Sequence, residues 1–552
     1  MATEFDYIVI GSGSAGAVLA ARLTEDRDIS VLLLEAGGMD RHPFQLMPLV
    51  FLQVGATPGY NWNYQTEPEP GLNGRRIPIA RGRTLGGSSS INALIYSRGN
   101  PRDYDLWRDQ GLEGWGYADV LPYFRKLESH WRGAGPYHGG DGPIQVTPIE
   151  FPDMLFEPLL KAACAAGIPY NEDPYGAVQE GLARMETTIG RGRRSSTARA
   201  YLYPARGRPN LFILTGALTR RILLERGRAI GAEFIMRSRT RQVRARREVL
   251  LAAGSYNSPQ LLMLSGIGAP DELKLHGIEP LHALPGVGRN LSEHPNYLSV
   301  YPLREPVGIT RHLRVDRATG GVARWFLRHD GAFATNGAAA NIFLRTLPGL
   351  DRPDVQLTPM PVHNNGRLWF PGLTAQPVFC YSIRIGVIHP RSRGWVRLAS
   401  GDPRAKPRIR FNMYSEKEDL DAMIRGVRAC RDLFAHSPLS EMIEREMAPG
   451  SALTTHSELA ETIRANSNHR SHPVGTCRMG VDADAVVDAE LRVRGIEGLR
   501  VVDASIMPEA IGGNTNVPTV MIGEKAADMI RGRRLPPAEL PHQTAREPVA
   551  TG

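Results

Sequence analysis

The first elements of the chain are marked by where apolar residues run together and where they repeat. Tyr7-Ile8-Val9-Ile10 is an unbroken apolar run, short enough to predict a buried strand. A glycine-rich stretch, Gly11 to Gly16, follows it, and Val18, Leu19 and Leu23 then recur at the spacing of one helix face. A second apolar run, Ser30 to Leu34, predicts another strand and ends on the acidic Glu35. Near the C-terminus Leu499-Arg500-Val501-Val502 reads as a short strand. Beyond it Val520, Met521, Ile522, Ala526, Ala527, Met529 and Ile530 keep helical spacing, with Pro518 near the favoured first position. Strand-to-helix units at both ends of the chain predict the α/β class. No apolar run reaches the roughly 18 residues of a membrane-spanning helix, and no internal repeat is visible.

The glycine turn carries the first candidate chemistry. Gly11 permits the tight turn, Gly13 removes a side chain from the path of a pyrophosphate, and Gly16 lets helix and strand pack closely. Backbone amides at the helix start then face phosphate. Glu35, about twenty residues further on, is placed for a ribose 2′-hydroxyl and against a 2′-phosphate. Together these features predict dinucleotide binding. A second cluster, Gly82-Arg83-Thr84-Leu85-Gly86-Gly87-Ser88-Ser89-Ser90-Ile91-Asn92, has small side chains that let backbone amides approach a polyanionic or ring-edged ligand. On composition alone a flexible loop fits that cluster as well.

Composition adds limits. The 552 residues are 42% hydrophobic and 22% charged, which describes a folded chain long enough for several domains. The net charge of +9 comes from scattered arginines, among them Arg191, Arg193 and Arg194, and Arg239, Arg241, Arg244, Arg246 and Arg247. No stacking-aromatic motif accompanies them, so they are expected on a solvated surface, with no nucleic-acid partner. Cys164, Cys380, Cys430 and Cys477 form no CxxC pair, so neither a zinc site nor a disulfide framework is expected, and a reducing compartment fits. Met1 to Asp6 is polar and leads directly into the first strand, leaving no room for a signal peptide; a cytoplasmic location is expected.

With these residues in view, the chain resembles the glucose-methanol-choline oxidoreductase family. Gly82 to Asp105 fits its first signature, including Asn92, Tyr96 and Gly99, and Gly254 to Gly268 fits its second. Pro285 to Leu291 and the C-terminal segments extend the likeness over nearly the whole chain. Tyr60-Asn61-Trp62-Asn63-Tyr64 adds a general similarity to choline dehydrogenase-like bacterial members. The resemblance implies FAD, with Glu35 on the adenosine ribose and the loop from Arg83 to Asn92 along the pyrophosphate and isoalloxazine. The implied cofactor contacts begin with Gly11, Ser12, Gly13, Ser14, Ala15, Gly16, Glu35 and Ala36. They continue with Arg83, Leu85, Gly86, Gly87, Ser88, Ser89, Asn92, Ala93 and Leu94, and then Leu218, Asp503, Ala504, Asn514, Pro518 and Thr519. Where choline-oxidase-like members carry a histidine bonded to the flavin, this chain has Ile91, which implies non-covalent FAD.

Asn468-His469-Arg470-Ser471-His472-Pro473-Val474-Gly475-Thr476-Cys477-Arg478-Met479-Gly480 contains the stretch that resembles the family's active-site histidine segment, and His472 is the matching residue. An imidazole, with an ordinary pKa near ~6.5, can take the hydroxyl proton as hydride leaves the carbinol carbon. Asn516 is assigned as its partner, orienting the substrate oxygen. His469 and Ser471 are expected at the substrate pocket; Ser471 stands where many relatives have an aromatic residue. His469 and His472 have no third metal ligand, so no metal is expected.

The fold implied is α/β: a Rossmann-like FAD-binding domain with an interleaved α+β substrate-binding cap. Residues 1–157, 191–299 and 463–532 are expected in the FAD-binding domain, 158–190 and 300–462 in the cap, and 533–552 in a loose tail. His389 to Leu398 resembles a strand entry within the cap. The implied partners are a small-molecule alcohol and oxygen, a quinone or another electron acceptor, with peripheral association at the inner membrane left open. A flavin-dependent lyase or decarboxylase on the same scaffold is the alternative, and a non-catalytic flavin-binding module a more remote one.

Overall fold

Apolar residues on both faces of the first strand place it inside a sheet, where neither face meets water. In the computed structural model, which describes residues 3–363 and 366–540, β1 (Glu4–Ile10) is buried from Phe5 onward. It is followed by α1 (Gly16–Leu23), β2 (Val31–Glu35), β3 (Leu211–Thr215), β4 (Leu218–Glu225), β5 (Arg228–Met236) and the long β6 (Arg239–Leu251). Then come α2 (Gly254–Leu264) and, far downstream, β7 (Leu499–Val501) and α3 (Asn516–Ile530). The sheet runs β3-β2-β1-β6 in parallel, with Tyr7 opposite Val31 and Ile10 opposite both Leu34 and Leu251. The first half of β6 pairs antiparallel with β5, and β5 with β4, while its last three residues pair in parallel with β7. Five parallel strands therefore end on one edge, the edge where α/β sheets bind ligands.

A second, antiparallel sheet of six strands forms the cap. Its order is Asn468–His469, Pro295–Pro302, Cys380–Val387, Val355–Met360, Ala340–Leu344, Gly181–Arg184. The helix Lys417–Ala435 packs on it, and Gly426 makes the approach close, since a Cβ there would lie 2.7 Å from Ile385 Cγ2.

Details of the architecture differ from the sequence expectation. Pro295–Pro302 and Asn468–His469 belong to the cap sheet, although residues 295–299 and 468–469 were expected in the FAD-binding domain. The chain crosses between the layers through strands whose pairing partners lie 78 or more residues away, so no local signal marks the crossing. Trp395–Arg397 pairs with Arg408–Arg410, in a two-stranded sheet that packs on α2 and is separate from the cap sheet. The start of the expected loose tail is held: Leu535 N–H donates to Tyr123 Oη at 3.1 Å and Ala538 N–H to Ala118 O at 2.8 Å. Residues 541–552 lie outside the described residues. Among the described residues no helix is long and apolar enough to cross a membrane.

The turn between β1 and α1 leaves no slack. Gly11 has φ +98°, and a Cβ on it would meet Ala252 O at 2.5 Å; a Cβ on Gly16 would lie 1.9 Å from Gly11 O. Gly16→Ala is expected to destabilise the fold by about 1–3 kcal/mol, read from the denaturant midpoint; an unchanged midpoint would show that the turn can relax.

Candidate active site

At the edge where the parallel strands end, a cavity of about 770 Å³ opens, lined by residues from both sheets. Gly11, Gly13, Ser14, Ala15, Glu35 and Ala36 line one end. A Cβ on Gly13 would meet nothing within 4 Å, so the space is on its open side. Ser12 and Gly16 act from behind. Glu35 Oε2 accepts from Ser12 N at 3.1 Å and Ser12 Oγ at 2.6 Å, and Oε1 from Gly37 N at 2.7 Å. Burial raises the Glu35 pKa against these donors, and a carboxylate retains lone pairs for ribose hydroxyls.

The second glycine loop is pressed onto the first: a Cβ on Gly87 would lie 2.8 Å from Gly13 Cα, and Gly86 N–H donates to Ser12 Oγ at 3.3 Å. Gly87, Ser88, Ile91, Asn92, Ala93 and Leu94 line the cavity. Arg83, Leu85, Gly86 and Ser89 support the loop instead. The Arg83 guanidinium lies 4.8 Å over the Trp62 ring, Leu85 is buried in the core, and Ser89 Oγ donates to Gly86 O at 2.6 Å. Arg194 corrects an expectation. It is buried, not solvated, and its Nη1 donates to Asn92 O and Asn92 Oδ1, both at 2.7 Å, while Nε donates to Gln45 O at 2.8 Å. Burial pushes it down to about 9. Nothing in a run of basic residues says which one turns inward.

Leu218, Asp503, Ala504, Asn514, Asn516 and Thr519 complete the cofactor end. Asp503, just after β7, is tied to the first turns of α2: its Oδ2 accepts from Gly254 N at 2.8 Å and Ser258 Oγ at 2.5 Å. α3 begins at Asn516, and Pro518 is buried in its first turn without reaching the cavity.

His472 lines the same cavity and is 7% exposed. Its segment is clamped: Ser255 Oγ donates to Pro473 O and Thr476 Oγ1 to Ser255 O, both at 2.6 Å, and Val474 exchanges backbone bonds with Ser292 at 3.0 Å. His472 N–H donates to Glu293 Oε1 at 2.7 Å. The ring places Nδ1 3.0 Å from His294 Nδ1 and Nε2 3.0 Å from Asn514 Nδ2. With that amide nitrogen donating, Nε2 is the unprotonated nitrogen and Nδ1–H faces His294. Burial first, then the charges of His294, Arg470, Arg81 and His469, hold His472 well below the ordinary imidazole range. It is therefore neutral at pH 7. Burial and Arg470 push His294 down to about 3.

Asn516 does not meet His472. Its Oδ1 accepts from Ser14 Oγ at 2.8 Å, at the glycine-turn end, and the contact with His472 Nε2 belongs to Asn514. The reason is local: Asn516 is already in the first turn of α3, which packs on α1, whereas Asn514 is still in the preceding loop. His469 is also displaced from its expected role. Its Nδ1 accepts from Ser471 N at 2.9 Å and its Nε2 sits 3.1 Å from Pro78 O, so the ring fastens the wall and does not line the cavity. Ser471 does line it, as do Arg81, Arg384 and Arg470, which sequence reasoning passed over because single arginines carry no motif.

These residues fit FAD. The open side of Gly13 and the buried Glu35 carboxylate suit pyrophosphate and ribose, and the start of α3 points amide dipoles at the cavity. Asn514, which lines the cavity, has its Oδ1 buried without a hydrogen-bond partner, as a group awaiting a polar ligand would be.

Comparison with known proteins agrees with this geometry. Residues 5–296 match the N-terminal GMC oxidoreductase family profile and residues 390–523 the C-terminal one. An oxygen-dependent choline dehydrogenase of Klebsiella pneumoniae subsp. pneumoniae is 45% identical over 99% of this chain and 99% of its own. Among solved structures, pyridoxine 4-oxidase from Mesorbium loti superposes with a TM-score of 0.86 at 32% identity, covering 96% of this chain and 100% of that one. Formate oxidase from Aspergillus oryzae superposes with a TM-score of 0.90 at 28% identity, covering 96% and 98%. With both family profiles matched in order on a chain whose two-sheet architecture these oxidases share, the protein belongs to the GMC oxidoreductase family.

Proposed function

We propose that this FAD-dependent alcohol oxidoreductase takes the hydroxyl proton of its substrate on His472 Nε2, with Asn514 holding the substrate oxygen. The observation that carries the reading is the buried, neutral imidazole whose Nε2 lone pair faces the cavity beside the Asn514 amide. FAD, when bound, supplies the acceptor for the hydride that leaves the carbinol carbon. A hydroxyl entering between His472 and Asn514 replaces their mutual hydrogen bond: it donates to Nε2 and accepts from Asn514 Nδ2. As the proton moves to Nε2, the amide bears the alkoxide character left on oxygen. His294 Nδ1, accepting from His472 Nδ1–H, keeps the base in the tautomer that this transfer requires. The amides at the start of α3 favour negative charge at the cofactor end of the cavity.

Asn516, bonded to Ser14, serves the cofactor end rather than the proton transfer. Ile91 lines the cavity with no nucleophilic atom, which supports non-covalent FAD. The relatives described above are a dehydrogenase and two oxidases, so the lyase or decarboxylase alternative is not carried forward. The name of the Klebsiella relative makes oxygen the first acceptor to test, ahead of a quinone.

His472→Ala is expected to keep its FAD and to slow anaerobic flavin reduction by about 10²-fold or more; an unaltered stopped-flow rate removes the residue from the role. In the same assay Asn514→Ala should lose more rate than Asn516→Ala, and the reverse order would return the pairing to Asn516. Because burial and neighbouring positive charge lower the His472 pKa, the reactive neutral form persists as pH falls through the usual imidazole value of 6.5. The profile of kcat/KM should accordingly stay level around neutrality and fall only below about 6.5, and an acid limb above that value contradicts the assignment. Acid precipitation should leave all the yellow colour in the supernatant; colour retained in the pellet would mean a covalent link that Ile91 cannot make.

A further inference from the structure

The alcohol-oxidation reading leaves the substrate open, and the wall opposite the glycine turns narrows it. The cap sheet reaches this cavity through Arg384, and the histidine segment adds Arg470, two residues before His472. Register puts their guanidinium groups side by side. Arg384 is paired with Thr358 across the strands Cys380–Val387 and Val355–Met360, and directly opposed residues share one face of a sheet. Arg470 Nη2 donates to that same Thr358, to Oγ1 at 3.0 Å. Residue 386 is two positions from Arg384, hence also on this face. It is glycine, and a Cβ there would lie 2.2 Å from Arg470 Nη1. The missing side chain is what lets the Arg470 guanidinium lie on the sheet beside Arg384.

The acceptors holding Arg470 are neutral, Gln356 O at 3.3 Å and Thr358 Oγ1. Arg81 adds a third positive group, its Nη1 donating to Ser471 O at 3.0 Å. Burial followed by repulsion from Arg384 pushes Arg470 down to about 9, and burial lowers Arg384 as well. Glu35 and Asp503 are engaged at the cofactor end. Among the described residues Glu293 is the acid that offsets Arg470, while its Oε1 accepts from the His294 and His472 backbone amides. Ser471, between Arg470 and His472, has a small side chain that leaves the approach open.

We infer that the alcohol oxidised here carries an anionic group, a carboxylate in the simplest case, seated against Arg384 and Arg470 while its hydroxyl lies between His472 and Asn514. Guanidinium groups match a carboxylate through paired N–H donors. The anionic group is unchanged by the reaction: the carbinol C–H leaves as hydride to FAD, the O–H proton goes to His472 Nε2, and the carbon–oxygen double bond forms. A quaternary ammonium alcohol such as the choline named for the Klebsiella relative meets like charge at the same place.

The test uses the FAD-loaded enzyme and matched sets of primary alcohols that differ only in one substituent, carboxylate, carboxamide or trimethylammonium. One set is built on hydroxymethylbenzoate and one on a short aliphatic chain. Anaerobic flavin reduction should give kcat/KM about 10- to 150-fold higher for a carboxylate than for its carboxamide, the worth of one hydrogen bond to a charged partner, and the trimethylammonium member should be poorest. In Arg470→Gln and Arg384→Gln the carboxylate-to-carboxamide ratio should fall towards one, with Arg470→Lys recovering part of it. If a variant does not fold, the wild-type ratios decide alone. Carboxylates no better than their neutral or cationic partners overturn the inference while alcohol oxidation stands; no reduction by any member overturns both.

Discussion

Taking an imidazole out of water and setting it among guanidinium groups makes its protonated form costly, and the candidate site is organised around that constraint at His472. In the proposed mechanism the base must be neutral before it can act, and the burial of His472 favours that form. The same burial requires that both ring nitrogens be answered by protein, and they are, by His294 on one side and Asn514 on the other. Glu293 fixes the backbone of both histidines through one oxygen.

That arrangement depends on the crossing of two sheets. His472 hangs from a segment held by Ser255 at the head of α2 and by Ser292 before the cap strand Pro295–Pro302. Asn514 arrives from the loop before α3, which is anchored on α1. None of these segments places its side chain alone, and each is tied to the parallel sheet or the cap by hydrogen bonds between residues hundreds of positions apart. The positive wall of Arg81, Arg384 and Arg470 has two consequences from one cause. It depresses the affinity of His472 for a proton in the free site, and it offers a seat that a negative substituent would fill.

Much of the cofactor end was legible in the residues. A buried strand, a glycine turn, a helix and a terminal acid obey short-range rules, and the glycines at 11, 13 and 16 each show the close approach or open space that their positions require. The substrate end was less legible. Asn514 and Asn516 look interchangeable in Asn514-Thr515-Asn516, and only the start of the helix separates them. His469 and His472 sit three residues apart, yet one fastens to Pro78 and the other faces the cavity. Arg194 and Arg470 read as surface charge or spacers, and both are largely withdrawn from solvent.

The sequence by itself determined the α/β class and the dinucleotide turn with its acid, because strand burial, turn geometry and helix periodicity are decided by neighbours within a few residues; the segment that carries the histidine was marked by the family resemblance alone. Only the tertiary structure decided which asparagine meets the imidazole, which histidine leaves the pocket, and that arginines from a cap strand and from the histidine segment share one sheet face. Those outcomes depend on pairing register and on packing between distant segments, and one residue of shift in either would turn each side chain the other way.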